Sequence, residues 1–139
     1  MSVNKSSPLM KNSLELLRDN VMSASKEDLV LMLFDGCLKF INQSILAIEN
    51  KDYSKANTLC IKAQNIILEF RATLDIRIGL AEQMDSMYVY IYEILLDGNM
   101  TKDTALLSEA RDLVRSFRDT WKEAIVIARK ENAVKNKPK

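Results

Sequence analysis

Residues 103–130, DTALLSEARDLVRSFRDTWKEAIVIARK, decide the fold class. Turned at the helical period, Leu106, Ala110, Leu113, Val114, Phe117, Trp121, Ala124, Ile125 and Ala128 fall on one face. Arg111, Asp112, Arg115, Asp119 and Lys122 fall elsewhere. This is an amphipathic helix with one apolar stripe, and such a stripe must be buried against other elements. The helix is expected to start at Asp103 and to continue to about Lys130.

The same period recurs upstream, and no stretch alternates with period two. Proline occurs only at Pro8 and Pro138, so nothing between them forbids helix. A first long helix is predicted from its N-cap Ser25 to about Glu49, with Glu27 and Asp28 in the first turn, where the helix dipole favours acids. After the turn Asn50–Lys51–Asp52, a second helix spans roughly Tyr53–Ile76 and ends near Gly79. A third spans roughly Leu80–Asp97 and stops at Gly98–Asn99. Short connections make neighbours antiparallel, so the expected fold is an all-α, up-and-down four-helix bundle over residues 25–130. Residues 1–24 are expected to form a flexible segment with a short helix at Ser13–Asn20, and 131–139 a disordered basic tail. From Arg129 onward there are five cations and one acid, which suits a solvated tail.

The chain has 139 residues, enough for one domain that buries roughly two-thirds of its unfolded surface. The net charge of +1 gives no case for nucleic acid. No uninterrupted apolar run approaches the ~20 residues of a bilayer span, so no stable membrane insertion is expected. Met1–Asn12 is polar and lacks a secretory apolar core, and a reducing cytosol is the expected location. There is no histidine, which excludes phosphohistidine carriers, histidine-ligated metal or haem bundles, and Ser-His or Cys-His nucleophiles. The two cysteines, Cys37 and Cys60, fall on core faces and read as packed small hydrophobes. The three glycines stand alone and form no phosphate loop. The arginines point away from the apolar stripes, which argues against an anion-clamping enzyme. Neither a cofactor nor a metal is expected, and no catalytic residue is assigned.

Two helices carry more apolar surface than one stripe. The first shows a second stripe of Leu31, Leu38 and Ile45, and its mid-helix Gly36 predicts close approach of a neighbour. The second has a charge-free face of Asn57, Ile61, Gln64, Asn65, Leu68 and Ala72. The third keeps Val89, Tyr92 and Leu96 outside its core face. Such residues either margin a wide core or line a groove for an amphipathic partner helix. The candidate groove comprises Asn57, Ile61, Gln64, Leu68, Val89, Tyr92 and Leu96.

Four strings in order add a resemblance: residues 21–25 with 29–36 (VMSAS, LVLMLFDG), 62–67 (KAQNII), 87–92 (MYVYIY) and 117–124 (FRDTWKEA). Together they resemble the flagellin export chaperones, the FliS family, over roughly Leu16–Ile127. Two positions depart from the family pattern: Lys26 replaces a proline after the cap, and Leu16 replaces a tyrosine. The first leaves the cap in place. The second keeps an apolar contact and loses a hydroxyl. The resemblance implies an ATP-independent chaperone of type III flagellar export that binds the C-terminal segment of flagellin. It would block premature polymerisation and deliver its client to the export gate. An export-gate component or a co-chaperone would be a further partner, and the chaperone itself would be a monomer or weak homodimer. It also implies an N-terminal lid on the groove, here Leu14, Leu16, Leu17 and Val21. The rival expectation is a non-catalytic adaptor that self-associates through its spare apolar stripes.

Overall fold

The computed structural model describes residues 26–74, 79 and 81–135. Four helices follow one another: α1 Lys26–Glu49, α2 Tyr53–Thr73, α3 Ala81–Thr101 and α4 Thr104–Lys135. No strand occurs among the described residues. α1 and α3 each pack against α2 and α4, so the helices form a four-cornered ring with α1 diagonal to α3. The expected all-α antiparallel bundle is the observed fold. The Ser25 cap, the Ser13–Asn20 helix, Leu80 and the lid residues Leu14, Leu16, Leu17 and Val21 lie outside the described residues.

The turns are made by local chemistry. Lys51 takes a left-handed conformation (φ 61°), and the Asp52 N–H bonds the Ala47 carbonyl at 2.8 Å. This satisfies carbonyls left over at the end of α1. Asp52 then caps α2 by accepting from the Lys55 N–H at 3.1 Å. The α3–α4 turn repeats the device: Lys102 has φ 54°, and the Asp103 N–H bonds the Gly98 carbonyl at 2.9 Å. Asp103 caps α4 through the Ala105 N–H at 2.9 Å.

Three boundaries differ from expectation. α2 ends at Thr73, because Leu74 leaves the helix in an extended conformation (ψ 127°). α3 runs through Gly98–Asn99 to Thr101. Gly98 is helical because its missing side chain makes room for Leu107: a Cβ there would lie 2.8 Å from Leu107 Cδ2. The close approach expected at Gly36 is absent, since the nearest atom to a Cβ there is Ile66 Cδ1 at 3.9 Å. α4 continues to Lys135, beyond the expected end at Lys130, so residues 131–135 are helix and not tail. Its core stripe uses the fully buried Leu107, while Ala124 and Ala128 are exposed.

Every helix gives one ring to an aromatic layer. Phe34 of α1 meets Phe70 of α2 at 4.5 Å, Phe70 meets Tyr88 of α3 at 5.7 Å, and Tyr88 meets Phe117 of α4 at 5.4 Å. These centroid separations are those of favourable aromatic pairs. Ile41, Ile67, Ile91, Leu95 and Val114 fill the bundle alongside that layer. α1 is long and apolar enough to cross a membrane by length and composition, and its wide apolar arc is used here to pack on both α2 and α4.

Candidate partner-binding groove

Contacts between α2 and α3 fix their antiparallel register. At one end Asn99 Nδ2 donates to Asn57 Oδ1 at 2.8 Å. Further in, the Cys60 thiol points at the Leu95 carbonyl at 3.5 Å. At the other end Arg71 Nε donates to Asp85 Oδ1 at 2.7 Å, and Nη2 to Oδ2 at 3.1 Å. This register sets Ile61 opposite Leu96, Gln64 opposite Tyr92 and Leu68 opposite Val89.

Between the two polar clasps the seam is apolar and open. Ile61 is 43% exposed, and Leu68 and Leu96 are each 39% exposed. Val89 and Tyr92 are half-buried on the α3 side, and Tyr92 also packs against the core. Asn57 sits at the end of the seam with its carbonyl oxygen engaged by Asn99. Gln64 differs from expectation: it is only 5% exposed and forms the floor, not the surface. Its Oε1 has no hydrogen-bond partner among the described residues. An orphaned buried carbonyl of this kind typically costs ~1–3 kcal/mol.

The seam runs on past Leu68 into a shallow cleft of about 620 Å³ lined by Leu68, Arg71, Ala72, Leu74, Ala81, Glu82 and Asp85. Leu74 and Ala81 enter this lining because α2 ends at Thr73 and α3 begins at Ala81. Ala72 lies on the charge-free face that pointed to Leu68. Lys62 is turned away from this seam, with its ammonium 5.4 Å from the Phe40 ring centre on α1.

The electrostatics describe clasps and not acid–base machinery. The hydrogen bond from Arg71 holds the exposed Asp85 carboxyl below its usual range, and the same bond raises Arg71. Burial pushes Cys60 up to about 11, an effect partly opposed by Lys102, and burial pushes Cys37 higher still. Both thiols are therefore protonated at neutral pH and poor nucleophiles. Tyr90 is raised by its hydrogen bond to Glu109, and Tyr88 by burial. Among the described residues no group of three or more Cys, Asp or Glu is placed to hold a metal.

A family model described as flagellar protein FliS matches residues 10–128. The chain belongs to the FliS family. The flagellar secretion chaperone FliS of Bacillus subtilis (strain 168) is 45% identical over 114 residues, covering 82% of this chain and 86% of the relative. The protein of the same name from Escherichia coli (strain K12) is 33% identical over 109 residues, 76% of this chain and 80% of the relative. That of Salmonella typhimurium is 32% identical over 106 residues, 74% and 78% of the two chains. The FliS match includes all of α1, α2 and α3 and closes inside α4, ahead of the helix's last seven residues.

Proposed function

We propose that this protein is a cytosolic, non-enzymatic export chaperone that holds the C-terminal segment of flagellin in the α2–α3 groove. The observation that carries this reading is the open apolar seam between the Asn57–Asn99 and Arg71–Asp85 clasps. Membership of a family whose relatives are flagellar secretion chaperones supports a flagellar export substrate as the client.

The mechanism follows from the seam's chemistry. Ile61 and Leu68 are seven residues apart, two turns or about 10 Å of helix, as are Val89 and Leu96. Two such rails suit the apolar side of an amphipathic helix laid along them. Covering Ile61, Leu68 and Leu96 removes apolar surface from water on both partners, and the client's own apolar face is hidden from other flagellin chains. Gln64 Oε1 in the floor offers an acceptor to a client N–H that reaches it. A client that orders on binding gives up conformational entropy, so affinity comes from a long wrapped surface and stays reversible for hand-over at the membrane. Leu14, Leu16, Leu17 and Val21 are proposed as a displaceable lid, which lowers apparent affinity by the fraction of time it is closed.

Calorimetry with a peptide from the C-terminal segment of the same organism's flagellin tests the reading. One-to-one binding with a large negative heat-capacity change is expected from coupled folding in an apolar groove. No heat and no rise in melting temperature at saturating peptide would overturn it in favour of the self-associating adaptor.

A further inference from the structure

Three polar side chains are buried among the described residues: Ser44, Gln64 and Asn99. Two of them are satisfied within the bundle. The Ser44 hydroxyl donates to the Ala56 carbonyl at 2.9 Å. Asn99 donates to Asn57 Oδ1, and its own side-chain oxygen accepts from the Lys102 ammonium at 2.8 Å. Gln64 is the exception. It is more than nine-tenths buried, and its Oε1 has no partner among the described residues.

The orphaned oxygen lies at the midpoint of the open seam. On α2, Ile61 stands three residues before Gln64 and Leu68 four after, which places these exposed anchors one turn to either side on the same face. On α3, Val89 and Leu96 bear the same relation to Tyr92, the half-buried residue opposite Gln64. Four apolar corners thus surround one acceptor. A buried carbonyl without a donor destabilises the protein that holds it. An occupant of the seam that brings a donor recovers that loss, and a wholly apolar occupant does not. Along a helix the backbone N–H groups beyond the first turn are already engaged, so the donor has to come from a side chain.

We propose that Gln64 sets the register and the choice of the client, by accepting a hydrogen bond from a side-chain donor on the client's apolar face. The inference rests on the chaperone reading above and gives it a recognition rule. The client helix carries Asn, Gln, Ser or Thr at one position of its apolar stripe, with apolar residues one turn before and one turn after. Those neighbours seat at the Ile61–Leu96 and Leu68–Val89 corners, and the Tyr92 side chain turns aside to admit the donor. A helix of equal apolarity without the donor leaves Gln64 orphaned. A helix shifted by one turn buries its donor against an apolar corner. Both forfeit the bond, and a site built around a hydrogen bond rejects partners that lack it. A single polar residue in the core seam of a coiled coil fixes register in the same way.

Calorimetry with the flagellin C-terminal peptide tests this on wild type and on Gln64→Met, which keeps the length of the side chain and removes its amide. Urea unfolding should show Gln64→Met to be at least as stable as wild type, because the orphaned oxygen is gone. The same variant should bind the peptide about tenfold more weakly, because the client's donor is then buried without an acceptor. Changing each Asn, Gln, Ser and Thr of the peptide to alanine in turn should reveal one position that costs wild type about tenfold in affinity and costs Gln64→Met almost nothing. That coupling locates the donor, and a purely structural role for Gln64 would not produce it. An alanine series in which no position behaves this way would overturn the proposal. So would a Gln64→Met protein that binds as tightly as wild type. Either result leaves the chaperone reading standing, whereas a wild type that does not bind the peptide overturns that reading and this inference together.

Discussion

Two seams of this bundle each join a pair of antiparallel helices and are finished differently. Along the α1–α4 seam, polar side chains cross at four levels. Arg129 reaches Asp28 at 3.1 Å, Trp121 Nε1 donates to the Glu27 carbonyl at 3.2 Å, Arg118 reaches Asp35 at 3.1 Å, and Arg111 reaches Asn42 at 3.4 Å. The long arginine stems lie over half-buried neighbours while their charges stay in water. Along the α2–α3 seam, among the described residues, amide and charged side chains cross only at the two ends, the buried Cys60 thiol points at the Leu95 carbonyl between them, and the span shows Ile61, Leu68 and Leu96 to solvent. The contrast separates a seam closed by its own side chains from one whose apolar residues stay open to solvent.

The widest gap between the seams should appear on placing a charge at Leu68. Leu68→Asp adds an ion to a surface already in water, so the free protein stays folded. The bound state must bury that ion, and such burial without a partner is costly. Affinity for the flagellin peptide should fall by two orders of magnitude or more, about 2.7 kcal/mol. Calorimetry reads the affinity, and circular dichroism reads the fold. Collapse of the helical signal would place Leu68 in the core and erase the distinction between the seams.

Next in size is a pair of glycines. α3 forms the outer wall of the open seam, and its far end is held against α4 at Gly98. A Cβ at Gly98 would also meet Leu107 Cγ at 3.1 Å and Leu106 Cβ at 3.2 Å. Leu107 is fully buried and has little room to yield. Gly98→Val should therefore cost about 2 kcal/mol in urea unfolding, the usual range for overpacking. It should also weaken the peptide, because the wall moves. Gly36→Ala, on the α1 side, meets nothing closer than 3.9 Å. It should stabilise by up to ~1 kcal/mol through lower backbone entropy and leave binding alone. Equal effects at the two glycines would mean that α3 is not positioned from that end.

Much of this architecture is legible in the sequence because helix formation is local. The 3.6-residue period, the absence of interior proline and the Asp52 cap are each read from neighbours in the chain. What was missed depends on contacts between helices. Leu106 and Leu107 are adjacent, about 100° apart on the helix, and fall near opposite margins of the apolar stripe, so the pattern alone does not say which is buried. Gly98 decides it from another helix by leaving a notch for Leu107. Gly98–Asn99 reads as a stop, yet Asn99 is buried and bonds Asn57, while the Lys102 ammonium bonds the Asn99 side chain at 2.8 Å. Those bonds carry α3 one turn further. Ile61, Leu68 and Leu96 stood out because a second stripe on a bundle helix is itself a local signal. Gln64 was placed on the same charge-free face, but the register of α3 covers it. The last turn of α4, residues 131–135, reads as tail because cations outnumber acids from Arg129 onward. A helix already nucleated adds residues at little cost, and Arg129, just ahead of them, is tied to Asp28.

The smallest expected effect lies in the closed seam, and it is the control on all the others. Arg118 is 30% exposed and bridges Asp35 of α1 and Asp119 of its own helix at 3.1 and 2.9 Å. Its hydrogen bonds to both carboxylates raise the guanidinium above its ordinary range. Both acids are largely in water, Asp35 at 60% and Asp119 at 61% exposure. Coulomb attraction there is screened, and such pairs typically contribute ~0–1 kcal/mol. Arg118→Ala should lower stability by no more than ~1 kcal/mol, and raising salt should shrink the difference from wild type. Peptide affinity should not change, because α1–α4 and α2–α3 lie on opposite edges of the ring. A loss of affinity with Arg118→Ala would mean that the client wraps both seams, and that the arginine rungs contact it instead of only closing the bundle.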